Sequence, residues 1–229
     1  MITITKFSDI VQFILDDFFG EYEAFKKITT DLGLISSEIE DQEKSAENPF
    51  FNDFLEDLVE ATDEGFLART ENSELDLRNF YSQLFARLVQ EKKAAERIHF
   101  NSGDWRRELA IPPRVVIEFC SNSTEEWQNL EQLVGDMLSY IEAEPRLIGA
   151  LLNLEGVNLV WIEREKPGLV LRRENIHLFR FEWSSFDLKY MIESKIFGKP
   201  VLEVHPDVFK SFCRFYMLVD LLNKVIHLN

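Results

Sequence analysis

The apolar residues of this chain change period along its length, and that change constrains its fold class more than any other feature. Early in the chain Phe7, Ile10, Val11, Ile14, Phe18, Tyr22 and Phe25 recur in steps of three and four, which lines one face of a helix. Ser8 is a suitable N-cap with Asp9 in the first turn, and Gly20 is placed to bend or split the helix. A second helix is predicted to open at Asn48-Pro49, to bury Phe51, Phe54, Leu55 and Leu58, and to stop at Gly65. The third starts near Ser73 and carries Leu77, Phe80, Tyr81, Leu84, Phe85, Leu88 and Val89. Three helices with aromatic inner faces predict a small bundle.

Beyond residue 100 the signals differ. Asn101-Ser102-Gly103-Asp104 is turn chemistry and Pro112-Pro113 is stiff and extended, so a linker is expected over 101–113 between a helical domain (1–100) and an α+β domain (114–229). Arg114 to Cys120 reads as a buried strand, and Ser123 with Glu126 has capping-box spacing. The helix that follows carries Trp127, Leu130, Leu133, Val134, Met137, Leu138 and Ile141. Leu147 to Leu154 fits a short helix or a strand, with helix preferred. Three alternating runs, Val157–Glu163, Leu169–Arg173 and Ile176–Trp183, are separated by turns at Pro167-Gly168 and Glu174-Asn175, so a three-stranded antiparallel meander is expected. A helix from Ser184 to Phe197, a short strand Val201–Val204 and a final helix from Pro206 complete the reading. The fold class expected is α+β, a helical part followed by a sheet-bearing part, without alternating βαβ units.

Charge follows the same division. Residues 1–76 hold 20 acidic and 5 basic residues, a net of −15, whereas residues 77–229 hold 21 and 20. Such a segment repels nucleic acid and anionic membrane surfaces, and its natural partner is a basic protein surface. Asp16, Asp17, Glu21, Glu23, Glu56, Glu60 and Glu64 lie off the apolar stripes and are the candidate contact residues. In the later part Arg164, Lys166, Arg172, Arg173 and Arg180 concentrate in the expected meander, with Arg106, Arg107 and Arg114 near the linker. This basic group would serve either as an intramolecular or homodimer dock for the acidic helices or, interleaved with Trp161, Phe179 and Trp183, as a nucleic-acid surface. Docking is the preferred reading and nucleic acid the disfavoured one.

Catalytic patterns are sparse. With 9 Gly there is no phosphate-cradling loop and no nucleophile elbow. His99, His177, His205 and His227 are scattered, so no metal site and no cofactor is expected. Cys120 and Cys213 read as buried free thiols, which fits a reducing compartment, and the cytoplasm is the expected location. No signal peptide and no membrane span is read from the sequence. Arg172-x4-His177 matches the spacing of the ribonuclease motif of the HEPN family, but that motif operates from a helix and this one flanks an expected hairpin, so the match is read as coincidence. The function expected is therefore a non-enzymatic interaction or regulatory protein that binds a basic partner through acidic helices. The alternatives are a hydrolase or nuclease built on Glu118, Glu163 and the meander arginines, and a nucleic-acid-mimicking inhibitor.

Overall fold

The computed structural model describes residues 2–4, 19–34, 74–86, 98–100, 112–121, 126–153, 155–165, 168–178, 202–204 and 206–227. Their elements, in chain order, are β1 (Ile2–Ile4), α1 (Phe19–Asp31), α2 (Glu74–Ala86), β2 (Ile98–Phe100), β3 (Val115–Phe119) and α3 (Glu126–Tyr140), followed by β4 (Ile148–Leu152), β5 (Gly156–Glu165), β6 (Gly168–His177), β7 (Leu202–Val204) and α4 (Pro206–Ile226). Mixed α+β character is evident. Of the three helices expected in the first hundred residues, α1 and α2 fall on the predicted stretches. The one predicted from Asn48 and the acidic loop before it lie outside the described residues, as does the helix predicted from Ser184.

The sheet departs from the expected meander. It has five strands in the order β2-β3-β4-β5-β6, with β2, β3 and β4 parallel and β4, β5 and β6 antiparallel. Two readings of the sequence are corrected here. Leu147–Leu154 is not a helix: Ile148–Leu152 is a strand buried on both faces, and such a strand has no polar alternation to announce it. Because β4 runs parallel to β3 with α3 between them, the fold does contain a βαβ unit. Nor does the chain turn at Glu174-Asn175. Both residues sit inside β6, where Glu174 pairs with Leu159 and Asn175 with Asn158. The apparent third strand was thus partly the continuation of β6, and Phe179–Trp183 lies outside the described residues.

The register divides the side chains between two faces. Val116, Glu118, Leu151, Asn158, Val160 and Ile162 face α3, whose Leu130, Leu133 and Met137, with Ile141 just beyond its end, complete one core cluster together with Cys120 and Leu147. Gly149 lets the helix approach closely, since a Cβ there would stand 2.5 Å from Met137 Sδ. The opposite face presents Phe119, and Tyr81 of α2 packs on its ring at 6.3 Å and donates its hydroxyl to Asn153 O at 2.8 Å. Helix α1 packs against α4, and α4 also touches β3. The buried stripe of α1 is Phe25 and Ile28, continued by Leu32 and Leu34 beyond its end. Gly33 ends α1 at φ 63°, and bonds from Gly33 N–H to Thr30 O and Leu34 N–H to Thr29 O complete a Schellman stop. Strand β1 pairs antiparallel with β7, the strand that precedes α4.

Candidate functional site

Strand β6 carries consecutive arginines, and a strand sends consecutive side chains to opposite faces. Arg173, opposite Val160, faces α3; Arg172, opposite Trp161, faces the other way. The two do not share one surface. Each instead organises a separate polar cluster.

On the α3 side the centre is Asn158, only 1 % exposed near the start of β5. Its Oδ1 accepts from Arg173 Nε at 2.9 Å and from Nη2 at 2.6 Å. Its Nδ2 donates to Glu126 Oε1 at 3.3 Å, and Arg173 Nη2 closes the triangle as an ion pair with the same carboxylate. Glu126 stands in the first turn of α3, where the helix dipole favours a negative charge. The Arg173 guanidinium also lies 5.7 Å from the ring centroid of Trp127, which is 71 % exposed. Glu118, 4 % exposed, belongs to the same row, two strands from Asn158 across Leu151.

On the opposite side Arg172 Nε donates to Glu163 Oε2 at 3.1 Å. Glu174, the next side chain along that face of β6, pairs with Lys27 of α1 at 3.8 Å. At the end of α1 desolvation, and after it the influence of Glu163, raises the Asp31 carboxyl above its ordinary range. Glu118 and Glu163, the carboxylates on which a hydrolase was built, therefore lie on opposite faces of the sheet.

Arg114 is likewise occupied within the fold. Its Nε meets Glu144 Oε2 at 2.9 Å and its Nη1 donates to Ile226 O at 2.9 Å, where it closes the C-terminal end of α4. Of the other candidate residues, Glu23 is exposed on α1 beside Lys26 at 3.3 Å, Glu21 belongs to α1, and Arg164 belongs to β5 opposite Leu169. Asp16, Asp17, Glu56, Glu60, Glu64, Lys166 and Arg180 lie outside the described residues, as do Arg106, Arg107 and His205. Arg172 and His177 both sit on β6, five residues apart and so on opposite faces, rather than on one helical face. Sequence reasoning missed Asn158, Glu126, Lys27 and Asp31. Asn158 left a local trace as a lone amide inside an apolar strand, and Glu126 left one in its capping-box spacing from Ser123.

Cys120 and Cys213 are both buried free thiols, and burial pushes the Cys213 thiol well above its ordinary range, so it is a poor nucleophile. Burial likewise raises the Tyr81 and Tyr216 phenols. Among the described residues no group of three or more His, Cys, Asp or Glu is placed to hold a metal ion, and no helix is long and apolar enough to cross a membrane. Comparison with protein families, with curated proteins and with solved structures gives no match.

Proposed function

We propose that this chain is a non-enzymatic interaction or regulatory protein that presents an acidic helical surface to a basic protein partner. One observation carries the reading. Arg114, Arg172 and Arg173 each pair with a carboxylate from residues 114–229, namely Glu144, Glu163 and Glu126. These three described cations of the sheet-bearing part thus meet its own acids, and in this reading the −15 of residues 1–76 acts outward. The same part even contributes Glu174 to Lys27, one of only five bases in the acidic segment.

In this reading 1–100 is the recognition part, 101–113 the linker and 114–229 the scaffold. Asp16, Asp17, Glu21, Glu23, Glu56, Glu60 and Glu64 steer the partner, and aromatic side chains at the rim anchor it. The test is affinity capture from lysate at low and high ionic strength with wild type and a variant in which Asp16, Asp17, Glu21 and Glu23 become Asn or Gln. A basic protein is expected to bind wild type in low salt and to be lost in high salt and from the variant. Capture that ignores both salt and the substitutions refutes the proposal. Recovery of the chain's own second copy in place of a basic protein also refutes it, and favours a homodimer.

A further inference from the structure

Five large apolar side chains are exposed among the described residues, and four of them, Trp127, Leu138, Leu169 and Leu171, belong to the α3 side of the sheet. Leu169 and Leu171 alternate with Arg173 along β6, so all three share the face that Val160 and Ile162 turn toward α3. Helix α3 packs on β3 and β4, and on β6, two strands beyond β4, Leu169 and Leu171 remain 49 % and 48 % exposed. Strand spacing sets β6 roughly 10 Å from β4, and packed helices lie about 8–10 Å apart. One further helix therefore fits beside α3, over the β5–β6 hairpin.

The two walls run antiparallel, because α3 returns between parallel β3 and β4 and β6 is parallel to β4. Trp127 meets Arg173 at one end, and Leu138 lies toward the Leu169 end. Trp127 to Leu138 spans about 16 Å of helix and Arg173 to Leu169 about 13 Å of strand, so the groove takes about three helical turns. At its head Trp127 is held ready: the Arg173 guanidinium lies 5.7 Å from its ring centroid and is itself fixed by Asn158 Oδ1 and the Glu126 carboxylate. Gly135, one turn from both Glu131 and Leu138, is exposed, and a Cβ there would meet no neighbour, so another backbone can come close at that point.

Charge selects the occupant. Glu131 stands exposed one turn after Trp127 on the same stripe, α3 carries no Lys or Arg, and Glu126 already matches Arg173. A second copy laid antiparallel on the groove would bring the two Glu131 carboxylates within about one turn of each other, and it would add a second net charge of −16. We propose that the groove binds a basic amphipathic helix of another protein. The apolar stripe of that helix packs against Trp127, Leu138 and Leu171, with Trp127 as the anchor, and a Lys or Arg beside the stripe meets Glu131. This surface shares no residue with the acidic segment 1–76, so the two readings fail separately.

The test uses a synthetic helical peptide of about four turns, with Leu along one stripe and Lys beside it, and the same peptide with Glu in place of Lys. Each is titrated calorimetrically into the full chain as wild type, Trp127→Ala, Leu171→Ser and Glu131→Lys. The Lys peptide is expected to bind wild type about tenfold more tightly than the Glu peptide, and Trp127→Ala and Leu171→Ser are each expected to weaken it about tenfold. Glu131→Lys should invert the preference between the two peptides. No binding of the Lys peptide to wild type overturns the proposal, as a groove filled by the chain's own residues would. Binding that both Trp127→Ala and Leu171→Ser leave unchanged, or a preference that Glu131→Lys does not move, sets the peptide elsewhere on the acidic chain and overturns it equally. Should Trp127→Ala not fold, Leu171→Ser and Glu131→Lys decide alone. A wild-type dimer in sedimentation that Leu171→Ser dissociates overturns the proposal in favour of a second copy.

Discussion

Arg114 sits where β3 begins, and its guanidinium is shared between Glu144, just beyond α3, and the last carbonyl of α4. The Arg114 and Glu144 side chains are only 13 % and 12 % exposed, so removing the cation strands a mostly buried carboxylate and a helix end. Arg114→Ala is expected to cost about 2–4 kcal/mol. Arg114→Lys should restore only part of this, because an ammonium lacks the fork that reaches both acceptors. Denaturant titration checks both, and a loss below about 0.5 kcal/mol for the alanine variant contradicts the assignment. Tyr81 is the second such residue. Tyr81→Phe keeps the packing on Phe119 but orphans Asn153 O, for an expected cost of about 1–3 kcal/mol. The raised phenol also ties stability to alkali. Its contribution is fully present below the unfolded value of about 10 and is lost above it, so Tyr81→Phe should weaken the pH dependence of alkaline unfolding.

At the scale of elements, legibility followed amphipathicity. Helix α3 was readable because Leu130, Leu133 and Met137 repeat on one face, continued by Ile141 just beyond its end, and all four are buried. Trp127 and Leu138 were placed on the same stripe but are 71 % and 46 % exposed. They stand eleven residues apart, three turns along a neighbouring flank, where Trp127 meets Arg173. Helix α4 was equally readable, from Pro206 at its start to Val225 and Ile226 buried near its end. Strand β4 was not, since IGALL is apolar at every position and periodicity has nothing to measure. Its glycine held the missing information: Gly149 is small because α3 lies directly on it. Gly149→Ala is expected to cost about 1–3 kcal/mol by overpacking against Met137 and Leu133. Met137→Ala in the same chain should make the second substitution less costly than the sum of the two, a coupling that a double-mutant cycle measures. Strict additivity would place the helix elsewhere.

For the whole molecule, the α+β class was readable from the shift in period, while the mixed order of the sheet was not. Parallel pairing of β2, β3 and β4 joins segments distant in sequence, and no local pattern encodes which strands meet. The same limit hid the polar clusters. Lys27 and Glu174, or Glu126 and Arg173, become neighbours only through the register of β5 with β6 and the seating of α1 and α3. The charge asymmetry itself needs no folding to be seen. Its significance depends on where the arginines of the sheet-bearing part point, and Arg114, Arg172 and Arg173 pair with carboxylates of that part. Under the proposed function the acidic segment should bind a basic partner by a salt-sensitive, steered encounter. The most direct test is the ionic-strength dependence of partner binding by wild type and by the variant neutralised at Asp16, Asp17, Glu21 and Glu23. The account predicts that affinity for a basic partner falls about tenfold or more between low and high salt, with a shallower slope in the variant; equal slopes, or binding indifferent to salt, would contradict it.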